Sequence, residues 1–349
     1  MTHFLDTQDW SRADLDSLLE MAGRLRESPA QKLLEGRSIA LLFLNPSLRT
    51  STSFQVGAAR LGATAVVLQP GRDAWPIEFD FGTVMDGAAE EHIAEVAGVL
   101  SAYCDLIGLR AFPRFEDWAE ERQDRLIGAL ARYASVPVIN METIVHPCQE
   151  LALMRTVKDR LGPPAGRNFL LTWCWHPKPL NMAVANSALT IASRFAMNVT
   201  LLCPGPEWRL DDRYMARAAE NVKTAGGSLR VTHDIDQAYR GADFVYAKSW
   251  GCLAAYGNPE RQTAMAAPYR HFIVDEAKMD LTNDAWFSHC LPLRRNVKAT
   301  DGVMESPRCV ALAEAANRLP VQQALMLKLL GHGIDNIALP IGEEDKADG

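Results

Sequence analysis

Short, unbroken apolar runs alternate with stretches whose apolar residues recur at helical spacing, almost from end to end of this chain. Runs that are apolar on both faces read as strands of parallel sheets, and the amphipathic stretches between them read as the covering helices. Residues 37–44 form the first run. Asn45-Pro46-Ser47 follows, then a helical stretch at 50–61 closed by Gly62 and a second apolar run at 64–68, which together make a βαβ unit. The pattern continues through an expected helix at 90–103, a strand at 105–109, a helix at 115–133 and a strand at 136–140. A helix at 146–161 then meets Gly162-Pro163-Pro164-Ala165-Gly166, which interrupts both helix and ladder and marks a connection between domains. Beyond it, strands are expected at 169–175, 199–203, 244–247, 272–275 and 287–288, with helices at 181–195, 211–224 and 315–330.

The expected architecture is α/β, with two Rossmann-like domains of parallel sheets flanked by helices, because 349 residues exceed what one core usually supports. The domains are expected at 1–150 and 151–330, the last helix packing back on the first domain, with a disordered acidic tail at 331–349. A net charge of −7 gives no general attraction to nucleic acid or to an anionic membrane, so an anionic ligand must be held by local cations. No apolar stretch is long enough to cross a bilayer, and residues 1–11 are too polar for a signal peptide. Seven cysteines without framework spacing suit a reducing compartment, and the cytoplasm is expected. No Gly-x-Gly-x-x-Gly follows a strand and there is no Walker loop, which argues against a nicotinamide oxidoreductase.

Ligands of open α/β sheets bind beyond the carboxyl ends of the strands, which directs attention to the loops after Leu44, Leu109, Asn140, Ala247 and Ser288. Ser47-Leu48-Arg49-Thr50 stands where a helix begins, and its free N–H groups, two hydroxyls and a guanidinium suit a phosphate. An ordinary helix cap with a solvated Arg49 reads equally well from this segment alone. Arg110 closes a strand and His146-Pro147-Cys148-Gln149 opens a helix, so that His146 and Gln149 can address a carbonyl oxygen and an amide nitrogen while Arg110 neutralises developing charge. A half-buried structural histidine is the competing reading for His146. His289-Cys290-Leu291-Pro292 supplies a second His/Cys pair, and neither pair has metal-ligand spacing, so no metal and no cofactor is expected.

These motifs resemble those of the transcarbamylases. Ser47-Leu48-Arg49-Thr50, His146-Pro147-Cys148-Gln149 and His289-Cys290-Leu291-Pro292 match the family's Ser-x-Arg-Thr, His-Pro-x-Gln and His-Cys-Leu-Pro in order and spacing, with Ser51 where many members carry a second arginine. The resemblance implies a carbamoyl phosphate site of Ser47, Leu48, Arg49, Thr50, Arg110, His146, Pro147, Cys148, Gln149, Cys290, Leu291 and Arg318. Within the family, Asp73-Ala74-Trp75-Pro76, Asn140-Met141-Glu142-Thr143, the Trp175–Asn181 loop and Lys248-Ser249-Trp250-Gly251 are most similar to the branch that carbamoylates N2-acetyl-L-ornithine. That likeness implies acetylornithine contacts from Glu142, Lys248, Leu291 and Arg294, and a carboxylated Lys298. It also implies a deep trefoil knot, and a homotrimer in which Trp75 reaches a neighbouring subunit's carbamoyl phosphate. Glu90 resembles the glutamate that rejects a succinyl group by charge repulsion; a helix-start carboxylate favoured by the dipole is its other reading. N-succinylornithine or ornithine as acceptor, and a regulatory protein without turnover, remain alternatives.

Overall fold

The computed structural model describes residues 2–28 and 31–338. Two parallel sheets form its frame. The first has four strands in the order Thr64–Leu68, Ser38–Phe43, Leu106–Arg110, Val138–Glu142. The second has five, in the order Trp286–Ser288, Phe244–Lys248, Asn168–Trp173, Asn198–Leu202, Ser228–Thr232.

Side-chain alternation explains why the central strand of the first sheet is apolar throughout. Ile39, Leu41 and Phe43 enter one buried cluster and Ala40 and Leu42 enter the other, on the opposite face. The first cluster is covered by Arg12–Glu27, Pro147–Leu161 and the C-terminal helix Ala311–Leu329, and it continues into the second sheet. The second lies under Ile93–Tyr103 and Arg125–Tyr133. The C-terminal helix packs against Arg12–Glu27, Pro147–Leu161 and Leu48–Arg60, so it returns to the first sheet.

Several elements differ from expectation. Arg12–Glu27 is a helix that was not anticipated, although Ser11 caps it by accepting from the Asp14 N–H and Leu15, Leu18, Leu19, Ala22 and Leu25 form its buried stripe. Ser228–Thr232 is likewise an additional strand, at the sheet edge. The expected strand at 272–275 is absent; only Val274 bridges to Ala299, because Asp275 already caps the short helix Glu276–Met279. The helix expected at 115–133 breaks into Trp118–Glu121 and Arg125–Tyr133 at Asp124, whose φ of 51° cannot continue a right-handed helix. Residues 331–338, expected with the tail, form the turn Ile334–Asn336 and bury Ile337, while residues 339–349 lie outside the described residues. Residue 150, the expected domain boundary, falls within the Pro147–Leu161 helix.

Both sheets change direction of growth at their central strands. In the first, the chain leaves Ser38–Phe43 toward one edge and returns to its other side as Leu106–Arg110. In the second, Asn168–Trp173 and Phe244–Lys248 stand in the same relation. A crevice opens beyond the carboxyl ends of strands at each such reversal. Here the two crevices face one another across a single cleft.

Candidate active site

The cleft has a volume of about 700 Å³ and takes residues from the carboxyl ends of strands in both sheets. From the first sheet come Ser47, Leu48, Arg49 and Thr50, then Arg110 and Phe112, then Glu142, His146 and Gln149. From the second come His176, Lys178 and Asn181, then Lys248, then His289, Cys290, Leu291, Arg294 and Lys298, with Arg318 entering from the C-terminal helix. The halves are joined beside the site. Asn181 Nδ2 donates to the Thr143 carbonyl at 2.8 Å, and the His146 N–H donates to Ser187 Oγ at 2.8 Å.

The phosphate-like end is built on the Leu48–Arg60 helix. Ser47 has extended backbone angles and its Oγ accepts from the Thr50 N–H at 3.1 Å, which ends the preceding loop and starts the helix. The Arg49 guanidinium makes no ion pair or hydrogen bond among the described residues, and burial followed by the repulsion of Arg110 lowers its pKa. Arg318 is fully buried, donating to Gln149 Oε1 at 2.5 Å and to Thr50 Oγ1 at 2.9 Å. Its Nε and that of Arg110 are buried without partners among the described residues, so both arginines retain donors. Arg110 is ion-paired with Glu142, whose Oε2 also lies 3.5 Å from His146 Nε2. Burial, then Arg318, Arg110, Arg49 and Lys248, hold the His146 pKa well below the usual imidazole range. The ring is therefore neutral and can donate one N–H without adding charge.

The opposite wall carries Lys248 and Lys298, both buried, with exposed Arg294 beside them. None of the three forms an ion pair among the described residues. Burial and the neighbouring Lys248 lower the Lys298 pKa to about 8, and burial lowers that of His176 to about 4. Among the described residues Glu142 is the only carboxylate lining this cleft. Such an excess of fixed positive charge around desolvated walls selects anionic ligands.

The aspartate/ornithine carbamoyltransferase carbamoyl-phosphate-binding domain matches residues 2–159, and the Asp/Orn-binding domain matches residues 171–329. The chain belongs to the aspartate/ornithine carbamoyltransferase family. It is 62% identical over 333 residues to an N-acetylornithine carbamoyltransferase of Xanthomonas campestris, covering 95% of this chain and 98% of the relative. An N-succinylornithine carbamoyltransferase of Bacteroides thetaiotaomicron is 35% identical over 330 residues, covering 92% and 96%. The solved structure of an acetylornithine transcarbamylase complexed with acetylcitrulline superposes with a TM-score of 0.94 at 61% identity, covering 95% of this chain and all of that one.

As a carbamoyltransferase, the chain gathers most of the residues its motifs singled out. Pro147 and Cys148 do not line the cleft. Pro147 opens its helix, and Cys148 is fully buried with Sγ 3.6 Å from the Asn140 carbonyl, its pKa pushed by burial to about 12. Trp75 and Glu90 also stand outside. They share a surface segment in which Ile77–Glu78 pairs with Glu91–His92 and the Glu90 N–H donates to the Pro76 carbonyl at 3.2 Å. Trp75 is 63% exposed there, and the helix expected from residue 90 begins only at Ile93. His176, Lys178, Asn181 and His289 line the cleft in addition to the residues assigned a contact from the sequence; they belong to the Trp175–Asn181 loop and the His289–Pro292 motif, which follow the strands Asn168–Trp173 and Trp286–Ser288. Among the described residues no group of three His, Cys, Asp or Glu could hold a metal ion, and no helix is long and apolar enough to cross a membrane.

Proposed function

We propose that this chain transfers the carbamoyl group of carbamoyl phosphate to the δ-amine of N2-acetyl-L-ornithine, giving N-acetyl-L-citrulline and phosphate in arginine biosynthesis. The observation that carries this reading is the facing of two cationic walls across one cleft, in a chain 62% identical along nearly its whole length to an N-acetylornithine carbamoyltransferase. On the first wall, the Ser47–Thr50 helix mouth, Arg49 and Arg318 hold the phosphoryl oxygens, with Leu48 supplying its backbone. On the second, Lys248 and Arg294 attract the α-carboxylate of the acceptor, with Leu291 beside them and Glu142 on the facing wall.

The acceptor amine has an ordinary pKa of about 10.4, so its neutral form at pH 7 costs about 4.6 kcal/mol. A site rich in cations lowers that cost by favouring the uncharged amine. The amine nitrogen attacks the carbamoyl carbon, the carbon–oxygen bond to phosphate breaks, and the departing phosphate takes the amine proton. Arg49, Thr50, Arg110 and neutral His146 donate to the oxyanion of the tetrahedral intermediate, and Gln149 and the Leu291 carbonyl address the carbamoyl NH₂. Cys290, whose pKa is raised by burial, positions and does not attack.

Lys298 is read as a carboxylated lysine. The Leu291 N–H donates to His289 Nδ1 at 2.8 Å, and burial keeps this imidazole neutral, so its single proton sits on Nε2. Lys298 Nζ lies 3.4 Å from that nitrogen, and burial together with the neighbouring Lys248 makes its ammonium easier to deprotonate than a free lysine. A neutral buried amine adds to carbon dioxide, giving a carbamate and releasing one proton.

Trp75 and Glu90 are read as reaching the site of a second copy in a homotrimer. A groove of about 510 Å³ beside Arg49, walled by Leu48, Val56, Leu319 and Pro320, supports this, because a loop on one face and a groove on another allow a head-to-tail contact, the kind from which a ring is built when the rotation closes. Glu90 then excludes an anionic succinyl group. The cytoplasm is the proposed location, in keeping with seven unpaired cysteines. Turnover of carbamoyl phosphate with N-acetylornithine, N-succinylornithine and ornithine in parallel tests the reading; preference for either of the latter two refutes it.

A further inference from the structure

Glu314 lies outside the cleft, on the C-terminal helix, and is completely buried. A buried carboxylate is costly unless donors surround it. Three do. Glu314 Oε1 accepts from Gln149 Nε2 at 2.5 Å and from the Tyr246 hydroxyl at 3.0 Å, and Oε2 accepts from the Ser288 hydroxyl. Gln149 belongs to the first sheet's helix Pro147–Leu161, whereas Tyr246 and Ser288 belong to strands of the second sheet.

The chemistry of the two ends fixes the glutamine between them. An ionised carboxylate only accepts and a guanidinium only donates. Gln149 must therefore turn its NH₂ to Glu314 and its carbonyl to Arg318, whose other amino group holds Thr50 Oγ1 at 2.9 Å. An amide held from one side alone can rotate by half a turn; held from both it has one orientation. A continuous buried chain thus runs from Tyr246 and Ser288 through Glu314, Gln149 and Arg318 to Thr50.

Resting on the function proposed above, we infer that Glu314 is a positioning residue for carbamoyl transfer, which aligns Gln149 and Arg318 on the carbamoyl phosphate from the side of the second sheet. It touches no substrate itself. Protonation would convert one of its oxygens into a donor and remove the fixed polarity of the chain. The groups facing it are Gln149, Tyr246, Ser288, Arg318 one turn along its own helix, and Cys290. Burial raises its pKa to about 6, against the lowering effect of Ser288, Gln149 and Tyr246.

The test is the pH profile of kcat/KM for carbamoyl phosphate in the full-length protein and in Glu314→Gln and Ser288→Ala. The unmodified chain is expected to lose activity as pH falls through about 6, and Glu314→Gln to lower kcat/KM at pH 8 by roughly tenfold or more and to lack that acid limb. Ser288→Ala removes one donor from the carboxylate, so its acid limb should move to higher pH while kcat/KM at pH 8 stays within a few-fold. A Glu314→Gln protein with the unmodified profile overturns the inference, and if that variant does not fold, an unmoved acid limb in Ser288→Ala does so. Absence of turnover in the unmodified chain refutes the proposed function, a different result from turnover that Glu314 does not influence.

Discussion

Replacing Arg49 by alanine removes a guanidinium that makes no hydrogen bond or ion pair among the described residues, and that burial and Arg110 make less comfortable in its charged form. The unliganded fold should therefore be unharmed. Against a phosphoryl group Arg49 can make two charge-assisted hydrogen bonds, each worth about 1.5 kcal/mol at the low end of the range. Their loss amounts to about 3 kcal/mol, or roughly 150-fold in Kd for carbamoyl phosphate or inorganic phosphate. At a ligand concentration about 100 times the unmodified Kd, binding stabilises the unmodified protein by about 2.7 kcal/mol, whereas the variant gains only about 0.3 kcal/mol. Calorimetric titration gives the affinity directly, and melting curves with and without ligand give the second number. Equal affinity in the variant, or an equal gain in melting temperature, would remove Arg49 from the phosphate site.

Further outcomes follow from the same geometry. Lys298 is charged in both folded and unfolded chains below pH 8, so its burial cost is then fully present; between about 8 and 10.5 the folded chain has already lost the proton and stability rises with pH. In bicarbonate-free buffer Lys298→Met should thus stabilise by about 3 kcal/mol at pH 7, with the gain vanishing by about pH 10.5 in denaturant titrations. Ser47→Ala removes the helix cap and should lower stability by about 1 kcal/mol while also weakening phosphate binding in calorimetry. Gly257 has φ +77° and an added Cβ would stand 2.5 Å from the Glu116 carbonyl oxygen across the domain contact, so Gly257→Ala should cost about 2 kcal/mol and lower the melting temperature by several degrees. Glu90→Pro should raise turnover of N-succinylornithine relative to N-acetylornithine by roughly tenfold, read in a parallel-acceptor assay.

The loops that build the cleft were legible because strand ends are. Apolar runs place the ends of Ser38–Phe43, Val138–Glu142 and Phe244–Lys248 at 44, 140 and 247, within two residues of where they stop, and a polar residue at or just past such an end falls at the mouth of the sheet. Ser228–Thr232 was not legible in the same way, since this edge strand alternates exposed and half-buried positions up to Thr232 and carries little apolar signal. Phe272, Ile273 and Val274 mislead for the opposite reason: they are apolar enough for a strand, but the capping by Asp275 turns the chain into a helix. Trp75 and Glu90 carry motif signal without location, and only the pairing of Ile77–Glu78 with Glu91–His92 places both on one surface segment away from their own cleft. Glu314 gave no signal, because a glutamate on a helix ordinarily faces water. Its burial depends on contacts with Gln149, Tyr246 and Ser288, which are 165, 68 and 26 residues distant in sequence.

The most direct measurement incubates the purified chain with carbon-labelled carbamoyl phosphate and N2-acetyl-L-ornithine and identifies the products by mass spectrometry. N-acetylcitrulline carrying the label on its ureido carbon, formed together with an equal amount of phosphate, is the expected result. Label recovered only as cyanate and its hydrolysis products, with the amine unchanged, would contradict carbamoyl transfer in this cleft.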